Sequence, residues 1–112
     1  MRSRQLIPIV KEFRAGLLGR RSPVHMCLAV CMPLQGFLSA IGVEAAITEG
    51  HLLDSDGHKF QHFWLTLPDG RIIDPTADQF SLESRPMPSV YVGKLPEWYF
   101  VSRCECASCK GR

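Results

Sequence analysis

Cys27, His62 and Asp74 are the residue types from which a thiol nucleophile is assembled. A cysteine attacks as its thiolate, and both an adjacent imidazolium and the amino end of a helix lower its pKa. A carboxylate behind the histidine then orients the ring and stabilises its charge. His62 and Asp74 share one short stretch, residues 62–76, and Cys27 lies upstream of it. Each also has an ordinary structural reading: cysteine is common in cores, a strand histidine can simply be half-buried, and Asp-Pro often begins a turn. His25, His51 and His58 are rival bases, but only His62 has Trp64 and Asp74 in register with it.

The elements that must position these residues follow from apolar spacing. Leu6, Ile9, Val10, Phe13 and Leu17 predict a first helix over 5–18, with Pro8 in its first turn and a stop near Gly19. A second helix is predicted over 24–41, started by Ser22 and Pro23, ended at Gly42, and carrying Cys27 in its first turn or so. There, unpaired backbone amides and the helix dipole favour a negative sulfur. Pro33 conflicts with this, because an interior proline removes a hydrogen bond and clashes with the preceding turn. A kink or an irregular first turn is therefore expected, and if the helix begins at Pro33, Cys31 becomes the nucleophile candidate.

Strands are predicted over 43–48, 59–67, 71–73 and 90–92, with residues 51–57 as a polar connection. Residues 81–88, with Pro86 and Pro88, read as a surface loop, after which Trp98, Tyr99 and Phe100 pack back on the sheet. The turn between the second and third strands decides the geometry. Leu67-Pro68-Asp69-Gly70 suits a type I turn followed by a left-handed Gly70, which pairs Leu67 with Arg71. Asp74 then lies opposite Trp64, on the face of His62 and diagonal to it, while Phe63 and Leu65 face the core. A two-residue Asp69-Gly70 turn would send Asp74 to the other face. The fold class expected is α+β, N-terminal helices packed on a small antiparallel sheet.

This helix and hairpin resemble the transglutaminase-like branch of the papain-like cysteine enzymes. Counterparts of that pattern are Cys27 on the helix, Gly42 fifteen residues on, Gly50 twenty-three residues on and after the next strand, His62 with Trp64, and Asp74 with Pro75 and Thr76. The match covers residues 24–80; Pro33 and the short hairpin depart from it, and no upstream side chain stands as an oxyanion donor. The resemblance implies a transglutaminase-like core with Cys27 as nucleophile, His62 as base and Asp74 as its orienting residue.

Composition sets the frame. The chain has 112 residues, which fits one domain, since domains usually run ~50–250 residues. The domain is expected over 1–103, with a cysteine-rich tail over 104–112. The apolar share of 46% and charged share of 21% are globular values, and no apolar run reaches the ~18 residues of a bilayer span. The run 6–10 contains Pro8 and is stopped by Lys11 and Glu12, too short for a signal peptide. With five cysteines, an odd count, reduced thiols and a cytoplasmic location are expected. Residues 1–21 carry a local excess of five positive charges, which could meet nucleic acid or an acidic partner but is read as the solvated face of an amphipathic helix, since no nucleic-acid module accompanies it. With no apolar run long enough to span a bilayer, no membrane is expected either.

Cys104, Cys106 and Cys109 have metal-ligand spacing but lack the fourth ligand of a structural zinc site, so no metal or cofactor is assigned to them. Trp64 and Gln79 are the substrate-side candidates; Trp64 is read first as shielding the ion pair or filling core, and Gln79 could equally cap its loop. The expected function is attack on an amide or related acyl carbon of a peptide or protein donor, through a thioester, with water as the preferred acceptor. A non-catalytic binding protein of the same fold and a small metal-binding protein are the alternatives, and the oligomeric state is left open.

Overall fold

A computed structural model of the chain describes residues 1–22, 26–54, 56–82 and 85–102. The first apolar stripe forms α1, Ser3–Leu18, with Leu6, Val10 and Leu18 buried. Its first turn is closed by Arg2 N–H donating to Gln5 Oε1 at 2.9 Å. Starting at Ser3 puts Pro8 in the second turn, not the first, where it deprives the Arg4 carbonyl of its helical donor.

The second helix, α2, spans Cys27–Ala40 and buries Val30, Cys31, Leu34 and Leu38. It begins at Cys27 itself and runs on through Pro33, so the proline does not move the start to Cys31's side of the chain. Gly42, at φ 86°, ends it. Val43 N–H donates to Leu38 O at 2.8 Å and Gly42 N–H to Ser39 O at 3.1 Å. This is the left-handed glycine stop that satisfies the last carbonyls.

Five strands follow: β1 Ala46–Leu53, β2 Lys59–Thr66, β3 Ile72–Asp74, β4 Tyr91–Gly93 and β5 Tyr99–Val101. They form one antiparallel sheet in the order β4-β3-β2-β1-β5, and the fold is α+β. β1 lies later than the sequence predicts. Residues 43–45 remain outside it, and His51, Leu52 and Leu53, taken as loop, are strand because their partners Gln61, Phe60 and Lys59 extend the ladder. Two short elements went unpredicted, the 3₁₀ turn Ala77–Phe80 and the edge strand β5, which pairs with β1.

The sheet has an apolar cluster on each face. One joins Leu6 and Val10 of α1, Cys31, Leu34 and Leu38 of α2, and Leu65 and Ile73 of the sheet, with Phe63 packed against it. The other gathers Leu52, Trp64, Ile72 and Tyr99. No helix among the described residues is long and apolar enough to cross a membrane.

The β2–β3 turn fixes which residues face which side. Leu65 pairs with Ile73 and Thr66 with Ile72, and Leu67 N–H donates to Arg71 O at 2.8 Å. Gly70 takes φ 93°, a conformation open to glycine but strained for L side chains. One step along this register sets Asp74 beside Trp64, on the face that carries His62. Gly50 is inside β1, not after the strand as the resemblance had it, and pairs with His62. A Cβ there would stand 2.2 Å from the Trp64 ring and 2.3 Å from the Phe100 carbonyl, so only glycine lets β1, β5 and Trp64 close up.

Candidate functional site

Cys27 opens α2, and Met26 before it supplies no side-chain cap, so the first-turn amides are left to other acceptors. Burial pushes the thiol pKa up, but a hydrogen bond to the His62 ring, backbone hydrogen bonds at Phe63 and Leu28, and the His62 charge outweigh it and hold Cys27 below the usual thiol range. Cys31, one turn on, is fully buried among the core leucines, with its sulfur 3.7 Å from Phe63 O. Burial first, then the charges of Asp74 and Cys27, push its pKa far up. The two thiols are thus chemically distinct, one poised to ionise and one held neutral.

His62 on β2 and Asp74 on β3 are both completely buried. His62 Nε2 donates to Asp74 Oδ2 at 2.7 Å. With Nε2 committed, Nδ1 is the ring nitrogen that remains for Cys27. Burial alone would lower the His62 pKa; the Asp74 hydrogen bond, followed by the one to Cys27 and the charges of both, raises it to about 9. The directions on Cys27 and His62 agree with each other. Both favour a thiolate beside an imidazolium.

Asp74 uses its two oxygens differently. Oδ1 accepts the Thr76 amide at 3.1 Å, the turn chemistry expected of Asp-Pro. Oδ2 accepts His62 and also the Tyr99 hydroxyl, at 2.5 Å. Burial and the nearby Asp74 charge push the Tyr99 pKa upward, which keeps it a donor. Tyr99 was missed as a site residue; the sequence signal was the aromatic run Trp98-Tyr99-Phe100, read only as packing.

Trp64 is fully buried, 5.3 Å between ring centroids from Tyr99 and 6.1 Å from His62, and lines no part of the cleft beside Cys27. Gln79 does line that cleft. Its Nε2 donates to Thr76 Oγ1 at 3.0 Å and lies 3.3 Å from His62 Nδ1. The 3₁₀ turn that carries Gln79 is fastened to α1. Arg14 donates to both oxygens of Asp78, at 2.9 and 2.8 Å, and to Ser89 O at 2.6 Å.

The rival histidines serve elsewhere. His51 stacks on Phe100 at 5.2 Å, His58 pairs with Asp54 at 3.1 Å, and His25 lies outside the described residues. Asp54, Asp56 and His58 bring potential metal-ligand atoms within 4.8 Å of one another, but Asp54 is occupied in its own turn, accepting Asp56 N–H and His58 N–H at 2.8 Å each. The candidate metal ligands Cys104, Cys106 and Cys109, and the tail 104–112, lie outside the described residues.

The site opens on a cleft of about 670 Å³, walled by Cys27, Leu28, Phe60, Phe63 and Gln79 among others. What the arrangement can do is hold a thiolate against a histidine whose far nitrogen rests on a buried carboxylate, at the edge of a cavity large enough for an extended chain segment. Set against protein-family models, curated proteins and solved structures, the chain matches none of them.

Proposed function

We propose that the chain is a cysteine-dependent acyl-transfer enzyme, with Cys27 as nucleophile, His62 as general base and acid, and Asp74 as the residue that orients the ring. One observation carries this reading: His62 bridges the half-buried Cys27 thiol and the buried Asp74 carboxylate, with both pKa directions favouring the ion pair. The likeness of Cys27, Gly42, Gly50, His62 with Trp64, and Asp74 with Pro75 and Thr76 to the transglutaminase-like pattern supports it from the sequence, and a transglutaminase-like core is part of the proposal.

The Cys27 proton passes to His62 Nδ1, and the thiolate forms a bond to the acyl carbon of an amide or peptide. When the tetrahedral adduct collapses, the C–N bond breaks and His62 gives its proton to the leaving amine. Water then attacks the thioester as His62 takes its proton, and cleavage of the C–S bond frees a carboxylic acid. The backbone amide of Cys27, in the uncapped first turn of α2, is the candidate donor to the oxyanion. An amine in place of water would give acyl transfer; hydrolysis is preferred because no acceptor site can be named. A reducing compartment such as the cytoplasm would keep Cys27 a thiol.

The test is labelling by a peptidyl electrophile. Selective modification of Cys27, abolished in Cys27→Ala and reduced to the rate of a free thiol in His62→Ala, is the expected result. Reactivity no greater than that of a free thiol would leave a non-catalytic binding protein.

A further inference from the structure

Away from Cys27 the cleft carries two charged side chains among the described residues, Asp54 and Arg85. Asp54 is spent on its own loop, with Oδ1 accepting two backbone N–H groups and Oδ2 facing the His58 ring. Arg85 has no such counter-charge among the described residues. Its guanidinium lies 4.4 Å over the Trp98 ring and donates one hydrogen bond, from Nη2 to Leu53 O at 3.0 Å. No ion pair is formed by Arg85 among the described residues. Its Nε is buried without a hydrogen-bond partner among the described residues, as is the neighbouring Trp98 Nε1.

A half-buried guanidinium, stacked on an aromatic ring and tied to a carbonyl, is pre-organised, and no carboxylate among the described residues pairs with it. Carboxylate suits it by charge and by the planar fork, which takes two oxygens at once. Leu28, Leu52, Phe60, Phe63 and Leu82 wall the rest of the cleft, and apolar walls with a few fixed polar groups are how concave sites select a ligand.

We propose that Arg85 sets the specificity of this cleft, and that the acyl donor is a peptide with apolar residues against the leucine and phenylalanine walls and an acidic side chain on Arg85. This rests on the acyl-transfer reading only for what happens at Cys27. Recognition at Arg85 is an equilibrium property and can be read without catalysis.

The experiment is equilibrium dialysis of the full-length Cys27→Ala chain against pooled acetylated tetrapeptide amides of Leu, Phe and Ala, one position fixed as Glu, Gln or Lys. Glu peptides are expected to be retained about tenfold over Gln at one position, with Lys the poorest, as a charge-assisted pair in a half-buried site provides. Arg85→Gln should abolish that preference and Arg85→Glu should turn it toward Lys. Since Arg85 also holds Leu53 and Trp98, a urea midpoint is taken for each variant, and the comparison of the three peptide pools on the Cys27→Ala chain stands without them. Equal retention of the three pools, retention of none, or a Lys preference overturns the proposal. An inert Cys27 in the wild-type chain beside a retained Glu preference would instead overturn the enzyme reading and leave Arg85 its role.

Discussion

Gly50→Ala is the substitution in which fold and site fail together. The added Cβ would stand 2.2 and 2.8 Å from two Trp64 ring carbons and 2.3 Å from Phe100 O, against an ordinary contact of about 3.5–4.0 Å. Something must therefore move by more than an ångström. Trp64 has no room, being wholly buried and edge-on to Tyr99, and β5 can retreat only by loosening its pairing with β1. Overpacking of this kind costs about 1–3 kcal/mol, with the upper end expected because both neighbours are fixed. At about 4–8 °C per kcal/mol for a domain of this size, the midpoint should fall by roughly 10–20 °C. Displacing Trp64 or β5 also disturbs Tyr99, and through its hydroxyl Asp74, so Cys27 alkylation near pH 6 should slow as well. Thermal and urea unfolding by circular dichroism reads the first effect and iodoacetamide the second. Gly36→Ala is the control: it lies in α2 with nothing within 4 Å of the new methyl, and should be neutral or stabilise by up to ~1 kcal/mol. A Gly50→Ala protein within about 0.5 kcal/mol of wild type would refute the packing reasoning.

Asp74→Asn should lower peptide hydrolysis by about 10²–10⁴-fold with the fold retained, read as kcat on any peptide that wild type cleaves. His62 titrates near 9 when folded against about 6.5 unfolded, so its contribution to stability is complete below pH ~6.5 and is lost as pH rises through about 9. Urea midpoints should show that decline in wild type and not in His62→Ala. Arg14→Gln removes two charge-assisted bonds to Asp78 and the one to Ser89. It should cost about 1.5–3 kcal/mol and loosen the 3₁₀ turn bearing Gln79, seen as faster amide exchange at residues 77–80.

Local chemistry made part of this site legible. The β2–β3 register could be read from Pro68, Asp69 and Gly70 because a turn type depends on four adjacent residues, and it determined the face of Asp74. The choice between Cys27 and Cys31 was open because a proline inside α2 argues against a continuous helix. Packing of Cys31, Leu34 and Leu38 on the sheet holds α2 together through Pro33. Tyr99 could not be assigned, since its bond to Asp74 spans 25 residues and depends on β5 crossing to the far edge of β1. Strand β1 was misplaced because the polar Asp54-to-Gly57 turn masks a ladder that reaches Leu53. The tie from Arg14 to Asp78 was hidden within a helix face that reads as solvated.

The most direct measurement is the pH dependence of Cys27 alkylation, in a chain with Cys104, Cys106 and Cys109 replaced by Ser and Cys31 kept silent by burial. A thiolate–imidazolium pair requires the rate to be already high well below the ordinary thiol pKa of about 8.5, to stay level toward the His62 pKa of about 9, and to revert in His62→Ala to ordinary thiol behaviour. A single rise near pH 8.5, the same in wild type and His62→Ala, would contradict the account.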